Sequence, residues 1–419
     1  MLIKNIRLMD PASKRDEIVD ILIEDEKIKS IGKNINIEDK DTIDGKNLII
    51  SPGFIDVHVH FRDPGQEYKE DLTTGSQAAA AGGYTSVICM ANTKPVMDNE
   101  NLIKDFVKRA KEQIINVYTI SSLTKEMKGQ ELVDMEKVLE AGALAFSDDG
   151  IPNTRNDIVL EAMEKVKELD SLISFHEEDP SLNKENGINH GKVAEEMGLY
   201  GAPAISEEIM VARDCYFAYK TGAKVNIQHI SAAGSLDIIR EYKKLGAKVY
   251  CEVTPHHFSS TEDLIREKAS LAKMNPPLRT EEDRQAIIKA LKDGTIDFIA
   301  TDHAPHSSEE KNQEFTKAPS GIIGLETALG LGITNLVREN KLSLMELLEK
   351  LTINPAKLYK LETGRIKEGL PADLVIFDEN EEYTVEKFKS KSSNSPYIGK
   401  KLYGKVKYTI CNGKIVYKD

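Results

Sequence analysis

Eight apolar runs of strand length, each closing on polar or ionisable residues, constrain this chain more than any other feature. They are FIDVHVH from Phe54, YTSVICMAN from Tyr84, INVYTIS from Ile115, ALAFSDD from Ala143, LISFHEE from Leu172, KVNIQHIS from Lys224, KVYCEVTPHH from Lys248 and IDFIATDHAPH from Ile296. Segments of helical composition lie between them at 98–112, 156–169, 206–219, 235–245 and 281–291. Strand and helix in alternation mark parallel βα units, and eight such units close a barrel. Barrel strands are buried on both faces, so polar residues should gather at their C-terminal ends if those ends carry the chemistry. The runs finish at His58 and His60, Asn92, Ser121, Asp149, His176, His229, His256 and His257, and Asp302. The sequence therefore predicts an α/β chain with a (β/α)8 TIM barrel over residues 51–357. Residues 1–50 and 358–419 alternate apolar and polar positions, with Asn412-Gly413 as a hairpin turn, which predicts a small β-sandwich built from both chain ends. Residues 387–400, rich in Ser and Lys, read as a surface loop.

A period of two places His58 and His60 on one face of the first run, where two imidazoles can share one ion. An H-x-H pair alone carries little weight. Here His176 and His229 close two further runs and Asp302 the last, and of nine histidines only His190 lies far from a predicted strand end. These residues form an N/O donor set suited to zinc, which would lower the pKa of bound water to about 7 and polarise a carbonyl. Asp302 could then take a proton from that water and deliver it to a leaving nitrogen. Cys89, Cys215, Cys251 and Cys411 show no C-x-x-C spacing, which excludes a thiolate zinc site and a disulfide framework. A net charge of −13 argues against nucleic acid and anionic membranes as partners. With no apolar run long enough to span a bilayer and no secretory pattern at the N-terminus, the expectation is a water-soluble, cytoplasmic enzyme.

Taken together, the H-x-H pair, the later single histidines and the last-strand Asp302 resemble the amidohydrolase superfamily over nearly the whole chain. Within it, DVHVHFRDPGQEYKED from Asp56, ANTKPV from Ala91, SDDG from Ser147, EVTPHH from Glu252, KMNPPLR from Lys273, DGTIDFIATDHAPH from Asp293 and GIIGLETA from Gly321 resemble the bacterial and archaeal dihydroorotases. The resemblance implies reversible, zinc-dependent hydrolysis of the ring amide of (S)-dihydroorotate to N-carbamoyl-L-aspartate, a step of pyrimidine synthesis, by metal-activated hydroxide. Position by position it implies that His58, His60 and Asp302 hold one Zn2+ and that His176 and His229 hold a second. Asp149 would bridge them where many relatives use a carboxylated Lys, and Asp302 would serve as general base and acid. Asp148 would point the other way and be structural. The expected occupancy is two zinc ions per subunit, or one.

For the substrate, the resemblance places Arg62, Asn92 and His306 on the carboxylate-bearing ligand, Asn275 on the ring and the Ser320-Gly321 backbone beside it. Two departures are Ala91, where a Pro is usual and whose loss would loosen the loop aiming Asn92, and Ser320, where some relatives carry an aromatic residue. His256, His257 and His303 share the rim without an implied metal and read as supporting or structural. The charged loop 307–319 reads as a lid over the substrate. Other cyclic-amide hydrolases, dihydropyrimidinase and allantoinase, resemble the same barrel but would not need Arg62 with Asn92. A silent dihydroorotase-like subunit of an aspartate transcarbamoylase complex would usually lack ligands that are all present here. A homodimer, and an active enzyme associated with aspartate transcarbamoylase, are both open.

Overall fold

The alternating N-terminal segment forms five strands, β1 (Leu2–Asp10), β2 (Arg15–Glu24), β3 (Lys27–Gly32), β4 (Thr42–Asp44) and β5 (Ile49–Pro52), in a computed structural model that describes residues 1–37 and 41–419. The apolar runs then supply β6 (Phe54–Val59), β7 (Tyr84–Cys89), β8 (Asn116–Thr119), β9 (Leu172–Phe175), β10 (Lys224–Ile227), β11 (Val249–Val253) and β12 (Phe298–Ile299). The predicted helices appear between them as Glu100–Ala110, Asn156–Glu168, Ala204–Thr221, Ala233–Lys244 and Glu281–Asp293. The last shows how local chemistry sets an element's ends. Thr280 and Asp283 form a capping box at its start, and Gly294 closes it in the left-handed conformation at φ 82°.

β6, β7 and β8 pair in parallel, as do β9, β10, β11 and β12. Phe146 bridges Ser121 on one side and Ile173 on the other, and Val59 pairs with His303. The His60 N–H donates to His303 O at 2.9 Å, so the parallel pairings lead from β6 round to β6 again. The strands are shorter than their apolar runs, two of them sharply so. The ALAFSDD run supplies only the bridging residue Phe146, because the chain turns away at Asp148, whose carboxylate accepts the N–H groups of Leu123 and Thr124. The eighth run forms a strand only at Phe298 and Ile299 and pairs again at His303. Its Thr301 N–H is taken by the Asp56 carboxylate, and Asp302 turns the backbone at φ 48°.

After the central strands come β13 (Leu374–Thr384), β14 (Lys401–Cys411) and β15 (Lys414–Lys418). The predicted sandwich is instead one continuous sheet of eight strands, in the order β15-β14-β13-β5-β1-β2-β3 with β4 against β1. β5 joins the two chain ends by pairing with β1 in parallel and β13 antiparallel. Side-chain alternation gives the sheet two jobs. Leu374 and Ile376 enter a small core with Ile6, Leu8 and Ile21, while Val375 and Phe377 enter the main core with Phe54 and Tyr84. The Asn412-Gly413 turn takes φ values of 48° and 72°, as predicted for a tight hairpin. The 387–400 segment is not the surface loop predicted: Ser390, Ser392, Asn394, Ser395 and Tyr397 are buried.

Candidate metal centre and active site

The period of β6 sends Asp56, His58 and His60 to one side. Asp56 is committed to structure: its carboxylate accepts the N–H groups of His58 (3.0 Å) and Thr301 (3.1 and 3.2 Å), and burial pushes it up to about 7. Three histidines have one ring nitrogen anchored. His58 Nδ1 is 2.7 Å from Glu252 Oε1, His60 Nδ1 is 2.9 Å from Asn92 Oδ1, and His176 Nε2 is 2.9 Å from Glu178 Oε2. Each partner atom only accepts, so a neutral ring carries its proton there and turns a lone pair inward. The Asn92 amide is oriented by its Nδ2, which donates to Asp149 Oδ2 at 3.1 Å.

Those inward lone pairs meet carboxylates. His60 Nε2 lies 2.9 Å from Asp302 Oδ1, His58 Nε2 lies 3.3 Å from Asp149 Oδ1 and 3.6 Å from Asp302 Oδ1, and His176 Nδ1 lies 3.6 Å from Asp149 Oδ1. His229 Nε2 is 3.0 Å from His176 Nδ1 and 3.8 Å from Asp149 Oδ1. Lone pairs set against carboxylate oxygens repel unless a cation lies between them. His58 Nε2 and Asp149 Oδ1 also have no hydrogen-bond partner among the described residues although both are buried, which is costly for polar atoms unless something else satisfies them. Burial raises Asp149 and Asp302, but positive charge on the facing imidazoles outweighs it and holds both below the usual carboxylate range; with the rings neutral, a cation between the groups would supply that charge. A buried, anionic N/O donor set of this kind fits a divalent ion such as zinc. The donor atoms of His58, His60 and Asp302 lie within 4.8 Å of one another, and so do those of His58, Asp149 and His229. Arg62, His229 and Asp302 all take positive φ (58°, 32° and 48°), a conformation that costs a non-glycine residue about 1–3 kcal/mol and is held by its surroundings.

A cavity of about 180 Å³ opens over these groups. It is lined by His60, Arg62, Asn92, Asp149, His176, His229, Asn275, Asp302, His306, Ser320 and Gly321, which is every residue expected to hold metal or substrate except His58, buried beneath. Opposite the acidic cluster, the Arg62 Nε–H donates to Pro305 O at 3.2 Å, and Arg62 Nη2 lies 3.4 Å from His306 Nε2. Ser320 O is 2.9 Å from His306 Nε2, and Ser320 Oγ donates to Asn275 Oδ1 at 3.1 Å. Asn92 is engaged by His60 and Asp149. On the same loop, Ala91 O accepts the N–H groups of Thr93 (2.9 Å) and Met97 (3.1 Å).

Sequence reasoning left Glu252, Glu178, Lys69 and Asn394 without a role. Glu252 shares the parity of the inward positions of its run, and Lys69 lies in the HFRDPGQEYKED string. Asn394 gave no signal, because its segment reads as a polar loop, yet its Oδ1 accepts the His306 N–H at 3.1 Å. Asp148 behaves as expected, its carboxylate taking Leu123 N–H at 2.8 Å and Thr124 N–H at 3.1 Å. His257 bonds Thr254 Oγ1 and Pro276 O, and His303 faces Glu70. The 307–319 loop is tied down in this structure. Lys311 Nζ donates to Pro319 O (2.9 Å), Gly321 O (3.0 Å) and Lys273 O (3.3 Å), and Lys273 Nζ donates to Phe315 O at 2.8 Å.

Residues 49–416 match the Amidohydrolase family, and the chain belongs to that family. Within it, the chain is 57% identical over 418 residues to the dihydroorotase of Clostridioides difficile, covering 100% of this chain and 99% of that one. It is 53% identical to the dihydroorotase of Lactococcus lactis, with 100% and 99% covered. Among solved structures, L-hydantoinase (dihydropyrimidinase) from Arthrobacter aurescens superposes with a TM-score of 0.89 at 25% identity, covering 100% of this chain and 96% of the other. A D-hydantoinase from Thermus sp. reaches a TM-score of 0.85 at 24% identity over 100% and 95%, a likeness of fold alone.

Proposed function

We propose that this chain is a dihydroorotase, opening the ring amide of (S)-dihydroorotate to N-carbamoyl-L-aspartate and closing it in reverse. The observation that carries this reading is the single cavity in which a buried His/Asp donor set faces the Arg62 guanidinium. Full-length identity to proteins named dihydroorotase supports it. In this reading residues 51–357 form a (β/α)8 barrel, and 1–50 with 358–419 form the attached β domain. His58, His60 and Asp302 would hold one zinc ion and His176 and His229 a second, with Asp149 as a ligand shared between them. Bound there, zinc would polarise the ring carbonyl and make water acidic enough to attack it near neutral pH.

The other steps belong to the chain's own side chains. Arg62 grips the ring carboxylate with its planar fork, and the half-buried setting strengthens that contact. Asn92 keeps His60 and Asp149 in register while facing the same carboxylate. Asn275 and the Ser320-Gly321 backbone meet the ring. Asp302, at the cavity wall beside His60, accepts the proton of the attacking water and passes it to the ring nitrogen as the C–N bond breaks. Loop 307–319 limits water entry. The setting in this reading is the cytoplasm, and the four buried, unpaired cysteines support a reducing compartment. No described helix is long and apolar enough to cross a membrane.

The test is turnover of dihydroorotate by the zinc-loaded protein beside dihydrouracil and allantoin. Dihydroorotate alone should be opened, Asp302→Asn should lower kcat by about 10³-fold or more, and Arg62→Ala should act mainly by raising KM. Opening of the uncharged rings in preference to dihydroorotate overturns the substrate assignment.

A further inference from the structure

Lys69 belongs to none of the groups given a role above. It does not line the cavity, yet its side chain is only 8% exposed. Its ammonium lies 3.3 Å from His306 Nδ1 and 2.9 Å from Glu310 Oε1. The Glu310 carboxylate also accepts the Tyr68 hydroxyl at 3.0 Å on Oε1 and the Ser307 N–H at 3.0 Å on Oε2, and its Oε2 lies 3.5 Å from His306 Nδ1. An ammonium can only donate, and its contact with Nδ1 requires a lone pair there. That requirement puts the ring proton on Nε2, where Ser320 O stands 2.9 Å away to accept it. The opposite tautomer would satisfy Arg62 Nη2 at 3.4 Å and Glu310 Oε2 at 3.5 Å, both longer contacts, and would set Nδ1–H against the ammonium. The two shorter contacts, to Ser320 O and the Lys69 ammonium, select the Nε2–H form and leave that Arg62 N–H free to face the cavity. The charged groups around the ring are Arg62, Lys69, Lys311 and Glu310. Burial and the three cations push the imidazole down to about 2, so it is neutral across the working range.

We infer that Lys69 is a positioning residue: it holds His306 as the neutral Nε2–H tautomer, whose proton goes to Ser320 O, so that the Arg62 N–H beside the ring stays free to meet the substrate carboxylate. This rests on the dihydroorotase reading and adds to it the origin of the free Arg62 donor. It is distinct from Lys69 acting as a distant positive charge, which would attract the substrate whatever occupied position 306.

The experiment combines a double-mutant cycle with a direct observation of the ring. For Lys69→Gln, KM for dihydroorotate should rise about tenfold or more, the loss expected for a charge-assisted hydrogen bond, while kcat changes much less. Lys69→Arg should recover most of the loss. In a His306→Asn background the same Lys69→Gln change should alter KM less than about twofold. In uniformly zinc-loaded wild-type protein labelled with ¹⁵N-histidine, the resonance missing from His306→Asn should show the Nε2–H pattern. An Nδ1–H tautomer in the wild type, or a full Lys69→Gln penalty in the His306→Asn background, overturns the inference. A failure of the underlying reading would show separately, as a wild-type enzyme that does not open dihydroorotate.

Discussion

Replacing Glu252 by Gln tests whether the donor set is aimed by the groups behind it. Glu252 Oε1 accepts the His58 Nδ1–H at 2.7 Å, and Oε2 accepts the Asn226 Nδ2–H at 2.8 Å, at a site only 1% exposed. An amide of the same shape has one accepting and one donating end. Whichever way it turns, an N–H2 group faces either the His58 ring N–H or the Asn226 amide N–H. One contact is therefore lost along with the negative charge that makes the His58 ring more basic. The ring can answer by moving its proton to Nε2, which removes the lone pair aimed at Asp149 and Asp302. Loss of an outer partner of this kind lowers metal affinity about 10- to 100-fold, or about 1.4–2.8 kcal/mol. The assay is competition for zinc between the metal-free protein and a chromophoric chelator, for wild type and Glu252→Gln, with thermal unfolding as a check on folding. An unchanged zinc affinity with a lowered Tm would show that Glu252 only fills space, and the aiming argument would fall.

Three further predictions separate structure from chemistry. Asp148→Ala strips partners from the Leu123 and Thr124 N–H groups and should cost about 1–3 kcal/mol for each donor left unpaired, lowering Tm while zinc content stays at the wild-type level. Zinc loss on that substitution would move Asp148 into the metal site. Glu326 accepts the Lys389 and Ser390 N–H groups, yet burial pushes its carboxyl up to about 7. Its folded value thus exceeds the unfolded value of about 4.3, so its contribution is present below that lower value and is lost as pH rises toward 7. The Tm of Glu326→Gln relative to wild type should therefore increase between about pH 5 and pH 8. A difference that stays flat across the range would contradict this. Gly65 sits at φ 93°, and a Cβ there would lie 1.8 Å from Lys94 O, so Gly65→Ala must part the loops that carry Arg62 and Asn92. KM for dihydroorotate should rise by about tenfold, and an unchanged KM would mean that the loops tolerate the separation.

Much of the site could be read before any coordinates, because its residues sit at the C-terminal ends of apolar runs and the runs are regular. His58 and His60 follow from strand parity, and His176, His229 and Asp302 from their place after other runs. Their positions relative to one another were not legible. The sequence does not say that Asn92 spans His60 and Asp149, nor that Glu252, nearly 200 residues from His58, meets its far side at 2.7 Å. The 387–400 segment was misread for a related reason. Its serines and lysines look solvent-facing, but Ser390, Ser392 and Asn394 satisfy buried groups at Glu70, the Lys69 carbonyl and the Ala304 carbonyl. Polar residues that serve as hydrogen-bond partners for a loop cluster have the same composition as polar residues that face water.

What this sequence determined by itself is local and periodic. The two-residue alternation of strands, the capping of helices such as Thr280 to Asp293, and the Asn412-Gly413 turn depend on neighbours within a few residues, and pattern alone reveals them. The tertiary structure decided what depends on registry between distant segments. It joined the chain ends into one sheet through β5 instead of a separate sandwich, reduced the fourth run to a single bridging residue, and packed Lys69 against His306. The reason is that a hydrogen bond or a lone pair depends on angstrom-scale separations, and closing the ring of parallel pairings sets those separations for residues hundreds of positions apart, where no periodicity reaches.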